Sequence, residues 1–175
     1  MIKEAINIVW FKRDLRFIDN EALFHAHQSD LPLLLLYIFE PSVMQYDDAD
    51  ARHWRFIYES IQELQKKLNP SNKKIYFFHN EAEFVFSEIS KTFEVKTIFS
   101  HQEIGNKITF DRDIRMQQIF QENNIIWIEF QLHGVIRKLK SRQNWDKRWE
   151  AIMRATPKIV NESDLKTIEL DSDFY

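Results

Sequence analysis

The densest chemistry in the sequence lies in Trp10-Phe11-Lys12-Arg13-Asp14-Leu15-Arg16-Phe17-Ile18-Asp19-Asn20. Lys12, Arg13 and Arg16 crowd together with Asp14 and Asp19 where an apolar run ends. Guanidinium groups in such a place clamp an anion or a carbonyl, or pair with acids across a domain boundary, and the residues alone leave both roles open. Plain surface pairing would give them little to do. Glu40, His79, Asn80, Glu81, Ser100, His101, Gln102 and Glu103 follow later apolar runs. His79 with Glu81 and His101 with Glu103 carry donors suited to a divalent metal, but spacing across two loops is weak ground, and no metal is expected. There is no Ser-His-Asp order and no GxSxG elbow, and Asp47-Asp48 reads as surface, so no catalytic residue is expected in this chain.

Those residues need a scaffold, and short β-branched or aromatic runs alternating with helical periods supply one: an α/β fold, a five-stranded parallel sheet with helices on both faces. The strands read as residues 6–11, 33–39, 74–78, 97–99 and 125–128. Leu33 to Phe39 is apolar at every position, as in a central strand covered on both sides. Trp54, Ile57, Tyr58, Ile61, Leu64 and Leu68 form one buried stripe on a long helix, Ala82, Val85, Phe86, Ile89 and Phe93 a second, and Met116, Ile119 and Phe120 a third. In such sheets ligands sit beyond the carboxyl ends of the strands, which puts the polar residues above on one rim.

Composition narrows the classes further. The 175 residues are 44% hydrophobic and 29% charged, suiting one soluble domain able to bury a large core without staples. The absence of cysteine excludes disulfides, cysteine-ligated metal and cysteine nucleophiles. Gly105 and Gly134 stand alone, so neither a Walker loop nor a GxGxxG turn can be built. No 18-residue apolar stretch and no signal peptide are present, so no membrane partner and a cytoplasmic location are expected.

The formal charge of -3 hides an uneven distribution. Between residues 137 and 158 eight cations face Asp146 and Glu150, a surplus of +6, and from Ile159 onward the balance is -4. The basic exit, with a helix expected from Asn144 to Arg154, interleaves charge with Trp145 and Trp149. Phosphate contact with base stacking is one reading, and burial of the two tryptophans with Ile152 against the fold is the commoner one. An interface with another domain is preferred to direct DNA contact, and a linker is expected to start at Thr156-Pro157.

The first segment resembles the opening signature W-F-R-R-D-L-R-x-x-D-N-x-A-L of the DNA photolyase and cryptochrome family, with Lys12 as the departure. Tyr37-Ile38-Phe39-Glu40-Pro41 is similar to that family's F-x-F/L-D-P strand end. Arg52, Phe56, Glu59, Ser60, Ile61 and Leu64 resemble its R-x-x-F-x-x-E-S-L-x-x-L helix, and Arg112-Asp113 its R-D. Gly134 to Arg142 and Trp149 to Pro157 are similar to the passage out of the sheet in some bacterial members. The resemblance spans residues 5 to 157. It implies a Rossmann-like three-layer N-terminal α/β domain over residues 1–138, followed by a basic exit and linker over 139–175. It also implies a C-terminal helical domain beyond this chain that holds the catalytic FAD.

For the parent protein the resemblance implies a light-driven carbon-carbon lyase acting as a monomer on damaged DNA, its pyrimidine dimers split by an electron from reduced FAD. The present piece is expected to be inactive alone, to bind an antenna chromophore and to dock on the helical domain. Deazaflavin-binding members imply a pocket of Arg13, Leu36, Tyr37, Ile38, Phe39, Met44 and Arg52, with His101 added from the rim. Folate-binding members have an Asn-Glu pair where Ile108 and Thr109 stand, so a deazaflavin or flavin is expected over a folate. Arg16, Arg137, Lys140 and Arg142 are expected at the interdomain surface. A blue-light photoreceptor of the cryptochrome type, or a free-standing nucleotide-binding module, remains the alternative.

Overall fold

The computed structural model describes residues 2–137 and 139–170; Lys138 of the basic exit and Asp171 and Asp173 of the acidic end lie outside the described residues. β1 (Glu4–Phe11), β2 (Leu33–Phe39), β3 (Ile75–His79), β4 (Phe93–His101) and β5 (Ile126–Phe130) form one sheet in the order β3-β2-β1-β4-β5, with each pairing parallel. The chain builds outward from β1 to β3, then crosses to lay β4 on the other side of β1. Strand order therefore reverses at β1 and β4.

Alternation along the strands sorts their side chains into two cores. Ile6, Ile8, Trp10, Leu34, Leu36 and Ile38 pack under α4 (Ala82–Thr92) and α5 (Lys107–Glu122). Val9, Phe11, Leu33, Leu35, Tyr37 and Phe39 pack under α1 (Glu21–His27) and α3 (Ala51–Leu68), while α2 (Pro41–Met44) is a single turn after β2. β2 is buried at all seven positions, as a doubly covered central strand should be.

Four details differ from the sequence expectations. β4 starts at Phe93, directly after α4, because Phe93–Val95 pairs with Glu4–Ile6; Glu94 and Lys96 had hidden this half of the strand. The α3 stripe is buried only at Ile61, Leu64 and Leu68, and Tyr58 is 46% exposed. α6 (Trp145–Met153) forms where expected, but it buries none of its residues, and Trp145 and Trp149 stack on each other with centroids 6.4 Å apart. Beyond Pro157, where a linker was expected, the chain returns to the amino end of the sheet. Thr167 bridges Leu33, Val160 and Leu165 enter one core, and Ile168 and Leu170 enter the other. Among the described residues no helix is long and apolar enough to cross a membrane.

Candidate functional site

The turn leaving β1 is built around Asp14. Its Oδ1 accepts the Lys12 amide at 2.8 Å, and its Oδ2 meets His101 Nδ1 at 2.5 Å and the Asn20 side-chain amide at 3.2 Å. Asn20 also caps α1 by accepting the Leu23 amide, and it follows Asp19, whose φ of 54° turns the chain into the helix. Asp14 thus ties the ends of β1 and β4 to the start of α1. Burial pushes its carboxyl up, but the hydrogen bond and charge of His101 and the Lys12 amide outweigh that and hold it low.

Between the ends of β1, β4 and β5 lies a charge network, buried at Lys12, Glu103, Arg112 and Asp113 and half-exposed at Arg13. Lys12 Nζ sits 2.9 Å from Asp113 and 3.9 Å from Glu129, over the rings of Trp10 and Trp127 at 4.6 and 4.9 Å. Arg112 donates to Glu40 Oε1, to Asp113 Oδ1 at 2.9 Å and to Glu103 Oε2 at 3.3 Å. Arg13 donates to Glu103 Oε1 at 2.8 Å, and Arg137 reaches the Glu103 carbonyl at 2.8 Å. Gly105 permits this approach, since a Cβ there would lie 2.2 Å from the Arg13 guanidinium. Burial lowers the Lys12 pKa despite Asp113. Burial also drives Glu40 and Glu129 up, Glu40 against the pull of Arg112 and Glu129 against Lys12 and Arg137. For Glu103, burial is outweighed by Arg13, Arg112 and Lys12, which hold its carboxyl low.

Beside this network, between α3 and the carboxyl ends of β1 and β2, opens a cleft of about 400 Å³. Its floor carries Lys12, Arg13, Glu103 and Arg112, and its wall is Val43, Trp54, Phe56 and Ile57. The exposed first turns of α3 face this space, so Phe56 is 70% exposed. Two buried polar atoms of lining residues, Glu40 Oε2 and Trp54 Nε1, have no hydrogen-bond partner among the described residues.

The expected pocket residues divide. Arg13, Tyr37 and Ile38 line the cleft, as does Arg16, whose guanidinium donates to the Asp19 carbonyl. Leu36 and Phe39 are strand residues of the two cores, and Met44 packs at the edge of the α1 and α3 core. Arg52 projects into solvent at the start of α3, paired with Asp50 at 2.9 Å. His101 is committed to Asp14 instead of the cleft. At the expected interdomain surface Arg137 is held by Glu103 and Glu129, while Lys140 and Arg142 are exposed. Glu81 holds Ser42 by two hydrogen bonds of 2.8 Å, and among the described residues no three His, Asp or Glu side chains converge as metal ligands.

Glu40, Trp54, Phe56, Glu103 and Arg112 were not expected in the pocket. Phe56 carried a signal: it is a large apolar residue off the buried stripe of its own helix.

This chain belongs to the DNA photolyase family, whose model matches residues 7–158. It is similar to the deoxyribodipyrimidine photo-lyase of Vibrio cholerae, 31% identical over 129 residues that make up 71% of this chain and 27% of that protein. Cryptochrome DASH of Synechocystis is 31% identical over 102 residues, 55% of this chain and 21% of its own. The chain thus spans about a quarter of the length of these relatives. Among solved structures, a Synechocystis cryptochrome matches 100% of this chain and 41% of its own with a TM-score of 0.76 at 21% identity. An archaeal photolyase from Sulfolobus tokodaii, described with two FAD molecules, matches 96% of this chain and 39% of its own with a TM-score of 0.71 at 18% identity. The structural likenesses establish the shared α/β fold.

Proposed function

We propose that this chain is the light-harvesting N-terminal domain of a deoxyribodipyrimidine photolyase. In this reading the cleft seats an antenna chromophore, and the basic exit helps dock a C-terminal helical domain. The observation that supports it is the cleft: its volume of about 400 Å³ falls within the range of small-molecule sites. A planar heterocycle fits the residues present. Tyr37, Trp54 and Phe56 offer aromatic surface and Ile57 an aliphatic face, and Arg13 and Arg16 suit ring carbonyls or a phosphate.

When bound, such a chromophore would absorb near-ultraviolet or blue light and pass the excitation to reduced FAD in the C-terminal domain, the donor of the electron that splits a pyrimidine dimer. The residues of this chain hold the ring at the end of the sheet, exclude water from it and fix its orientation through a charge network that is already paired. A flavin or deazaflavin suits the site better than a folate, since Ile108 and Thr109 lack the polar groups of an Asn-Glu pair. The two FAD molecules described for the archaeal relative favour the same class. At the exit, Lys140 and Arg142 beside the exposed Trp145 and Trp149 support a docking role.

A cryptochrome photoreceptor is the second reading, favoured by the likeness of the Synechocystis cryptochrome over the whole chain. The test uses the full-length protein that contains this chain. Under blue light it is expected to remove dimers from an ultraviolet-damaged oligonucleotide and to show an absorbance band beyond that of its FAD, with Arg13→Ala weakening that band. Retention of FAD without any loss of dimers selects the photoreceptor.

A further inference from the structure

α6 carries Trp145, Trp149, Ile152 and Met153 at i, i+4, i+7 and i+8, the spacing of one apolar helix stripe. Such a stripe normally faces a core, but α6 buries none of its residues, and the two indoles are 42% and 44% exposed. Beside it lies a second groove of about 550 Å³, lined by Val135, Ile136, Leu139, Arg142, Trp145 and Trp149. Resting on the docking role of the exit, we propose that this stripe and groove seat one amphipathic helix of the C-terminal domain. The apolar side of that helix fills the groove, and its carboxylates meet Arg142 and Arg148.

The seat is formed before any partner arrives. On one side of α6, Arg137 donates to the Glu103 carbonyl at 2.8 Å; on the other, the Lys158 carbonyl accepts the Asp19 amide at 2.7 Å. The excursion that carries α6 is thus pinned to the body of the domain at both ends. Trp149 lies against the backbone of Gly134, where a Cβ would come within 2.2 Å of the indole, and Trp145 stacks on Trp149 at 27°. Little side-chain freedom is left to lose on binding, which favours association.

Size, charge and the flanks of the stripe select the occupant. Solved relatives match nearly the whole of this chain, but it covers only 41% and 39% of theirs, so the same polypeptide in those proteins carries a larger body to cover such a face. The surplus of +6 between residues 137 and 158 calls for an acidic partner. At 100° per residue, Arg148 falls on one flank of the stripe and Asp146 and Glu150 on the other. Carboxylates bordering the indoles repel a phosphate backbone, which disfavours stacking of nucleic-acid bases there. An amphipathic helix, by contrast, matches an apolar stripe with charges along its sides.

The experiment is hydroxyl-radical footprinting of the full-length protein that contains this chain, folded and in urea, with oxidation of Trp145 and Trp149 read by mass spectrometry. An interface core packs like a protein interior, so both indoles are expected to react about tenfold more slowly in the folded protein. Slowing of only about twofold, the value that 42% and 44% exposure gives by itself, overturns the seat. Protection that appears only after an ultraviolet-damaged duplex is added, or that falls away on dilution, overturns it too and assigns the face to nucleic acid or to a second copy. Arg148→Glu, at an exposed position, is expected to raise the rate at Trp149 by roughly threefold or more through repulsion of the facing carboxylates, and an unchanged rate overturns the acidic occupant. Zero-length cross-linking of Lys140 to carboxylates of the C-terminal domain separates this assignment from the docking reading. A cross-link beside unprotected indoles keeps the docking role of the exit and removes this seat, and unprotected indoles without a cross-link remove both. Protected indoles uphold the seat with or without that cross-link.

Discussion

The floor and the wall of the cleft are opposite kinds of surface. The floor, where strand order reverses, is a lattice of paired charges: the buried Lys12 and Arg112 and the half-exposed Arg13 are met by Asp113, Glu103, Glu129 and Glu40, largely within hydrogen-bond distance. The wall, made by the first turns of α3, keeps Phe56 open to solvent and leaves the indole nitrogen of Trp54 without a hydrogen-bond partner among the described residues. Ligands in open parallel sheets gather at the point where strand order reverses. Here that point is filled by the protein's own ion pairs, and the free space moves toward β2. The floor supplies a fixed field and the wall supplies the contact surface.

The comparison breaks first if the floor can lose a member cheaply. Asp113→Ala strips Lys12 of its nearest anion and Arg112 of one partner, and removing one side of a buried pair typically costs roughly 3 to 5 kcal/mol. Urea denaturation should show a loss of that size, and a loss below about 1 kcal/mol would mean that the floor is held by packing instead.

The next largest effect separates two carboxyl groups by the sign of their response to pH. Asp14 is held low, because the His101 contact and the Lys12 amide outweigh burial. The stability it contributes is therefore complete above the usual carboxylate range and lost as pH falls through its depressed value. Glu40 is pushed up by burial, and Arg112 offsets this only in part. The folded protein binds that proton more readily than the unfolded chain does, so stability falls as pH rises through its raised value. Melting temperatures between about pH 3 and about pH 8 should show Asp14→Asn converging on the unaltered protein toward acid. Glu40→Gln should gain on it toward neutrality, and parallel slopes for the two variants would contradict the distinction.

The two regions were not equally legible in sequence. The strand ends and the R-D-L-R and D-N residues marked the rim, because apolar runs and clustered charges are local patterns. Lys12 and Arg112 are separated by a hundred positions, and their meeting depends on β4 crossing to the far side of β1, which no local period encodes. His101 illustrates the same limit: it lies on the expected rim, but the partner that claims it is Asp14, 87 residues away. The segment after Pro157 misled for a different reason. Its buried residues Val160, Leu165, Ile168 and Leu170 repeat at no single period, since they divide between the two cores. The C-terminal half of the α3 stripe was legible, and its exposed first turns were not. Trp54 and Ile57 hold the right period whether they face a core or a cleft.

That ambiguity in α3 gives the prediction with the smallest effect on stability. Phe56 is 70% exposed and lines the cleft, so its ring contributes little to folding, and exposed positions of this kind usually change stability by no more than about 0.5 kcal/mol. If α3 is a wall awaiting a ring, Phe56→Ala should leave the melting temperature almost unchanged while lowering the affinity for whichever heterocycle the full-length protein takes up. If the first turns of α3 were merely a loosely packed core, the same change should lower the melting temperature and leave the affinity alone. The two outcomes move different observables, so one variant, melted and then titrated, decides whether the open face of α3 belongs to folding or to binding.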